Sequence, residues 1–253
     1  MKMKKYVESS SVKGLLFVLL SISALSAYGQ RETVNQNNAW YMYFGNHRLS
    51  DNWLLHTEYQ FRRSGLIKDW QQSLARIGLD YRFNKELTLT AGYAYIITFP
   101  YGELPVPEEL DEHRIWQTLT VNQFFNGWIL NHRYRLEQRW NERSSAAEES
   151  GRVYRNRIRY RGMVTVPLNG NTMQKGTLFL SIYDEIFIGF GENVAQNFDQ
   201  NRLYLALGHQ FSNTGNVQLG YLNQMVLKGD GINQEQNHTL MLTLTYNMDF
   251  RKR

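Results

Sequence analysis

The stretch from His238 to Phe250 alternates in a way that fixes its conformation. His238, Leu240, Leu242, Leu244, Tyr246, Met248 and Phe250 share one parity; Thr239, Met241, Thr243, Thr245, Asn247 and Asp249 share the other. A period of two over that length is a strand with one apolar and one mostly polar face. A strand of this kind, ending on an aromatic close to the C-terminus, is what closes a membrane β-barrel. Lipid covers its apolar parity and the lumen receives the polar one.

The opposite end of the chain carries what such a barrel needs for export. Lys2, Lys4, Lys5 and Lys13 precede an apolar run of twelve residues from Gly14 to Leu25, and Ser26-Ala27-Tyr28-Gly29 supplies small residues for cleavage before Gln30. Residues 1–29 therefore read as a secretory signal peptide, because the run is shorter than the roughly 20 residues of a spanning helix. Residues 30–253 read as one barrel domain in the outer membrane of a Gram-negative bacterium, with outer-membrane lipid as its surroundings. Removing the leader's four lysines and one glutamate takes 28 basic and 23 acidic residues to 24 and 22. The basic balance then carries no nucleic-acid reading. The chain has no cysteine, which excludes disulfides and thiolate metal sites although export would permit disulfides.

The same two-residue period recurs upstream. After the Asp51-Asn52 turn, Trp53, Leu55, Thr57, Tyr59 and Phe61 alternate with Leu54, His56, Glu58, Gln60 and Arg62, and Ala39–Leu49 is the hairpin partner. Ala75, Ile77, Leu79, Tyr81 and Phe83 alternate with Leu74, Arg76, Gly78, Asp80 and Arg82; Asn84-Lys85-Glu86 then turns the chain into Leu87, Leu89, Ala91, Tyr93 and Tyr95. Further strands are expected near 112–124, 128–140, 152–166, 177–188, 202–211 and 217–226. Such lengths suit the roughly 9–11 residues of a tilted membrane strand.

The connections alternate too. Short turns lie near 50–52, 84–86, 125–127 and 212–216, with 168–176 somewhat longer; polar loops occupy 64–69, 97–111, 141–151, 189–201 and 227–237. Short periplasmic turns and longer external loops follow this order in outer-membrane barrels, and a soluble sandwich has no reason to keep it. Eleven strands can be read directly. Since single-chain bacterial barrels ordinarily have an even number, residues 31–38 are expected to supply a weak first strand. The expectation is an all-β, transmembrane, antiparallel up-and-down β-barrel of twelve strands, with ten as the alternative. Trp40, Trp53, Trp70, Trp128 and Trp140 fall at expected strand ends and Trp116 near one, which is the placement of aromatic girdles at a membrane interface.

Arginine is the unusual content. Residues 30–253 hold 19 arginines against 5 lysines, and nine of those arginines lie between 133 and 161. Arg133, Arg135, Glu137 and Arg139 share one strand face; Arg155, Arg157, Arg159 and Arg161 share a face of the next, away from Tyr154, Ile158 and Tyr160. Each guanidinium turned to lipid at the midplane would cost about 2–4 kcal/mol, so these faces point inward, where each charge needs a partner. Candidate partners are Glu58, Asp80, Glu112, Glu137 and either Asp184 or Glu185, since a guanidinium fork pairs bidentately with carboxylates. Arg62, Arg114 and Arg202 complete the candidate lumen set. Two readings follow. In one, an Arg–carboxylate network fills a small barrel as a structural element. In the other, the arginines bind a small anionic solute or lipid headgroup, or line a narrow anion-preferring pore.

No catalytic set is marked, and whether the chain is an enzyme stays open with the balance against it. His56 and Glu58 share a face, and Glu112-His113-Arg114 follows a loop. Outer-membrane lipid hydrolases activate a hydroxyl through a histidine base, so a lipid-modifying hydrolase using a His/Glu pair is the alternative. The sequence sets neither Ser73 nor Ser181 beside His56. Scattered histidines without a carboxylate cluster make no metal site, and no cofactor is expected. A soluble periplasmic barrel that binds a ligand is a third possibility. The expected state is a monomer.

Five segments carry a resemblance: Trp53–Arg62, Glu112–Gln117, the His-Arg-Tyr-Arg-Leu-Glu-Gln-Arg run at 132–139, Tyr183–Phe187 and the Phe-Asp-Gln-Asn-Arg loop at 198–202. The chain resembles, from about Trp40 to Phe250, the family of Gram-negative outer-membrane proteins known as domain of unknown function 2490. The resemblance implies an outer-membrane barrel that meets the barrel-assembly machinery during biogenesis. It implies no activity and no functional residues.

Overall fold

The computed structural model describes residues 31–251. The signal peptide expected at 1–29 lies outside them. Eleven strands run in order: β1 Glu32–Arg48, β2 Trp53–Ser64, β3 Asp69–Arg82, β4 Leu87–Thr98, β5 Leu110–Phe125, β6 Trp128–Glu142, β7 Arg152–Pro167, β8 Leu178–Phe190, β9 Phe198–Ser212, β10 Gly215–Leu227 and β11 Asn233–Tyr246. Each pairs with the next, and β1 meets β11 to close the barrel. The alternating sequence explains the wall. Leu203, Leu205 and Leu207 of β9 and Leu240, Leu242 and Leu244 of β11 face outward, while Arg202, Tyr204 and Ala206 and Thr239, Met241 and Thr243 are buried inside.

The count is eleven, between the ten and twelve expected. Residues 31–38 do not form a strand of their own; they begin the 17-residue β1. An odd number has a geometric consequence, because the first and last strands of an up-and-down barrel then run the same way. The seam is accordingly parallel. Arg48 and Asp249 form a parallel bridge, in which the Arg48 N–H donates to the Met248 carbonyl and the Phe250 N–H donates to the Arg48 carbonyl, both at 2.8 Å. Side chains fasten the same seam. Asn247 Oδ1 accepts the Asn46 N–H at 2.8 Å, His47 Nδ1 accepts the Met248 N–H at 3.1 Å, and Asn38 Nδ2 donates to Asn237 Oδ1 at 2.8 Å.

Connections 65–68, 99–109, 143–151, 191–197 and 228–232 gather at one end, and 49–52, 83–86, 126–127, 168–177 and 213–214 at the other. We call these the long-loop and short-turn ends. The tryptophans divide differently from expectation. Trp53, Trp70 and Trp128 face outward and Trp140 is half-buried, but Trp40 and Trp116 are fully buried inside. Parity decides this, since Trp40 shares a face with Asn38 and Met42, and Trp116 with Arg114 and Thr118. Trp116 fits because Gly78 and Gly92 stand opposite each other in β3 and β4. A Cβ added at Gly92 would lie 2.7 Å from the Trp116 ring, so larger residues there would expel the indole. A second apolar group inside, Trp40, Met42, Tyr183, Tyr204, Ala206, Leu222 and Met241, packs between β1 and β8–β11.

The seam is directly testable because the chain has no native cysteine. An Asn38→Cys/Asn237→Cys variant is expected to cross-link under mild oxidation, seen as a reducible mobility shift on a denaturing gel. The single variants should show no shift, and a failure of the pair to cross-link would count against the parallel closure.

Candidate functional site

Register explains why the arginines need help. Arg133 stands opposite Arg161, Arg135 opposite Arg159, and Arg139 opposite Arg155 across β6 and β7; Arg114 of β5 stands opposite Arg139. Like charges directly across a ladder are unfavourable, and Arg133, Arg139, Arg159 and Arg114 reach to carboxylates while Arg135, Arg155 and Arg161 take neutral acceptors. Glu137, wholly buried, is the main carboxylate. Its Oε2 accepts two bonds from Arg157, at 2.8 Å from Nε and 2.6 Å from Nη2, and its Oε1 accepts from Arg159 Nη1 at 2.8 Å and Arg114 Nη1 at 3.2 Å. Arg76 Nη2 lies 3.9 Å away.

Four further carboxylates extend this layer. Glu185 accepts from Arg133 at 2.6 Å and from Arg159 at 2.8 Å. Glu112 pairs with Arg114 at 2.6 Å and Arg139 at 2.8 Å. Glu58 pairs with Arg76 at 2.5 Å and also accepts from Gln60. Asp199, at the start of β9, takes the remaining arm of Arg157 at 2.5 Å. The strand parity also settles one alternative: Glu185 points inward, and Asp184 faces out, where it accepts from Asn201 Nδ2 at 2.7 Å.

Of the residues expected in the lumen, Glu58, Arg62, Arg114, Arg133, Arg135, Glu137, Arg139, Arg157, Arg159 and Arg202 come together in or beside this layer. Arg155 does not. It is exposed at the long-loop end, where β7 emerges and Nε donates to the Asn193 carbonyl at 2.9 Å. Arg161 lies toward the short-turn end and donates to Asn131 Oδ1 at 2.9 Å. Arg135 bonds Thr118 Oγ1 at 2.8 Å and sits over Trp116, 4.5 Å from the ring centroid.

The layer separates two cavities that share no lining residue. The one toward the short turns, about 670 Å³, is lined in part by Asp80, Arg82, Arg133 and Arg161. The other, about 190 Å³ toward the long loops, is lined by seven arginines and Lys228 against the carboxylates of Glu112 and Glu235. Loop 99–109 reaches into its mouth. Tyr101 Oη donates to Glu235 Oε2 at 3.1 Å, and Lys228 Nζ donates to the Leu104 carbonyl at 3.3 Å. Burial, aided by the Glu235 charge, pushes the Tyr101 hydroxyl well above its ordinary pKa, so it stays a donor at any physiological pH. At the rim, Glu108 accepts from the Ser145 N–H and from both the Ser144 and Ser145 hydroxyls. These bonds hold its carboxyl below the usual carboxylate range and tie loop 99–109 to loop 143–151.

A family model for a protein of unknown function, DUF2490, matches residues 37–236, from the middle of β1 into β11. The chain belongs to the DUF2490 family. No curated protein and no solved structure matches it. What this DUF2490 barrel does must therefore be read from its interior.

The hydrolase alternative finds no assembled base and nucleophile among the described residues. His56 Nδ1 contacts Asn46 Oδ1 at 2.9 Å and its Nε2 lies 3.5 Å from Glu58, with no hydroxyl at either nitrogen. The Ser73 hydroxyl meets Tyr59 Oη at 3.1 Å, and Ser181 lies 3.4 Å from Thr165 Oγ1. His47 Nε2 does touch Thr57 Oγ1 at 2.8 Å. Its Nδ1 accepts a backbone N–H, which leaves the neutral ring's proton on Nε2, and a nitrogen already protonated cannot take the threonine's proton. His113 sits outside between Tyr93 and Tyr95.

Several contributors escape a reading of the sequence. Arg76 was visible on the face of Leu74, Gly78 and Asp80, but nothing local tied it to Glu58. Tyr101, Lys228, Glu235 and Asp199 fell in stretches that read as loops, and only the closed wall brings them to the same mouth. Glu137→Ala would leave four arginines around a vacant centre. It is expected to cost about 3–5 kcal/mol in urea unfolding of the detergent-refolded protein, whereas Arg155→Gln should stay within about 0.5 kcal/mol of the parent.

Proposed function

We propose that this chain is an integral barrel of the outer membrane, closed across the middle of its lumen, and that it serves the envelope as a structural or ligand-holding component. The ion-pair layer around Glu137 carries this reading, because it stands between two cavities with no lining residue in common. The outer wall supports the membrane part. Leu203, Leu205, Leu207, Leu219 and Leu240 are each about half exposed, and they join Ile77, Leu79, Ile115, Ile158 and Ile182 in a belt around the barrel. Monomeric soluble proteins rarely expose contiguous apolar patches beyond a few hundred Å². In this arrangement the short turns face the periplasm and the long-loop chamber opens outward. The barrel works as a monomer bathed in lipid, delivered by the assembly machinery.

A narrow anion-preferring pore is the second reading, favoured by the surplus of arginine at the long-loop side. Conduction would require the Glu137 layer to open. Planar-bilayer recording of the refolded mature chain under a salt gradient separates the two. The expected result is a carbonate-resistant, inserted protein without stable conductance steps. Stable anion-selective steps, with selectivity weakened by Arg157→Gln, would replace the closed barrel by the pore.

A further inference from the structure

Five of the seven arginines around the long-loop chamber have a carboxylate within ion-pair distance; Arg62 and Arg202 have none. Arg62 donates only to neutral amides, to Gln60 Oε1 through Nε, at 2.9 Å, and through Nη2, and to Gln72 Oε1 at 2.7 Å through Nη1. Arg202, 9 % exposed, makes no side-chain hydrogen bond, and its Nε is buried without an acceptor. Both guanidiniums lie over one indole: Cζ of Arg62 is 3.9 Å and Cζ of Arg202 5.2 Å from a Trp40 ring centroid. Trp40 is held in place by its Nε1–H, which donates to Gln71 Oε1 at 2.6 Å. An aromatic face attracts a cation without neutralising it, so two buried positive charges share this wall of the chamber with no carboxylate at ion-pair distance; Glu185, opposite Arg202 across β8 and β9, is bonded to Arg133 and Arg159.

We infer that the long-loop chamber is a binding site for a small phosphoryl dianion, inorganic phosphate or a phosphomonoester, with Arg62 and Arg202 as its charged ligands. The charge matches, two guanidiniums to one dianion. The chemistry matches as well, because a guanidinium fork donates two parallel bonds to phosphate oxygens, and Arg202 has all its donors free. The chamber, at about 190 Å³, is smaller than the roughly 300–1,000 Å³ of pockets for drug-sized ligands, which limits the group attached to the phosphoryl. Tyr101, in the loop at the mouth, spends its one O–H on Glu235 Oε2, which leaves the arginines as the donors to the anion. The route of entry, from the long-loop side alone, rests on the closed-lumen reading; the site itself does not.

The test is calorimetric titration of the full mature chain, refolded in detergent, with inorganic phosphate, glycerol phosphate, succinate and chloride. One saturable site is expected for the two phosphates, at least about tenfold tighter than for succinate. Arg202→Gln and Arg62→Gln should each weaken it by about tenfold or more, while Lys85→Gln, an exposed lysine at the other end, leaves it unchanged. Phosphate should also raise the melting temperature of the parent and not of Arg202→Gln. If Arg202→Gln does not fold, Arg202→Lys replaces it, with weakened phosphate binding expected from loss of the fork; parental affinity in that variant overturns the assignment. So do absence of saturable binding, preference for succinate, or binding of phosphatidic acid in mixed micelles without binding of either free phosphate. Because the titration needs no membrane, a conducting pore in the bilayer experiment would leave this result standing or falling by itself.

Discussion

The arginines in the middle of this barrel have left water, and Glu137 offsets much of that cost. One carboxylate with no exposed surface receives three guanidiniums at hydrogen-bond distance and a fourth just beyond. Removing charges from water costs several kcal/mol per ion, recovered only where geometry and additional bonds are good. The ladder makes this harder by setting arginine against arginine across β6 and β7. Glu137, Glu185 and Glu112 resolve the conflict diagonally. The remaining structure follows, since a wall of eleven strands can enclose these charges only if they neutralise one another along the lumen.

Neutralisation is uneven along the barrel axis. In the central layer Arg76, Arg114, Arg133, Arg139, Arg157 and Arg159 bind acids, and Arg135 takes Thr118 Oγ1. Toward the long loops neutralisation fails at Arg62, which rests on Trp40 and two glutamine amides, and at Arg202, which rests on the Trp40 and Phe187 rings. The two guanidiniums on the Trp40 wall of the long-loop chamber are the feature on which the proposed anion site rests. Closure depends on a separate device. With an odd number of strands the ends meet in parallel, and the side chains of Asn38, Asn237, Asn247 and His47 supplement the main-chain bonds there.

Much of the wall was legible. The parity of β2, β3, β7 and β11 reads straight from alternating residues, because a strand with one apolar outer face and one polar inner face allows no slip of one position. The alternation of short and long connections likewise follows from up-and-down order. The tryptophans were misread as a group because an aromatic at a strand end is ambiguous until parity is known. Trp40 and Trp116 prove to be lumen residues, and Arg155, although on the arginine face of β7, ends outside the layer because the strand emerges there.

By itself, then, the chain's alternation determined an all-β barrel and the inward face of Arg133, Arg135, Arg157 and Arg159, since the pleat leaves only two faces; strand ends moved, β9 beginning at Phe198 and not 202 and β11 spanning Asn233–Tyr246 and not 238–250. Pairing across the wall decided the rest. Which carboxylate meets which guanidinium depends on registers between strands as distant in sequence as β5 and β7, and the strand count depends on whether residues 31–38 stand alone or continue into β1. The two acid-free arginines of the long-loop chamber became visible only once the other five around it had found their carboxylates in three dimensions, because being unpaired is a property of the enclosure and not of any residue within it.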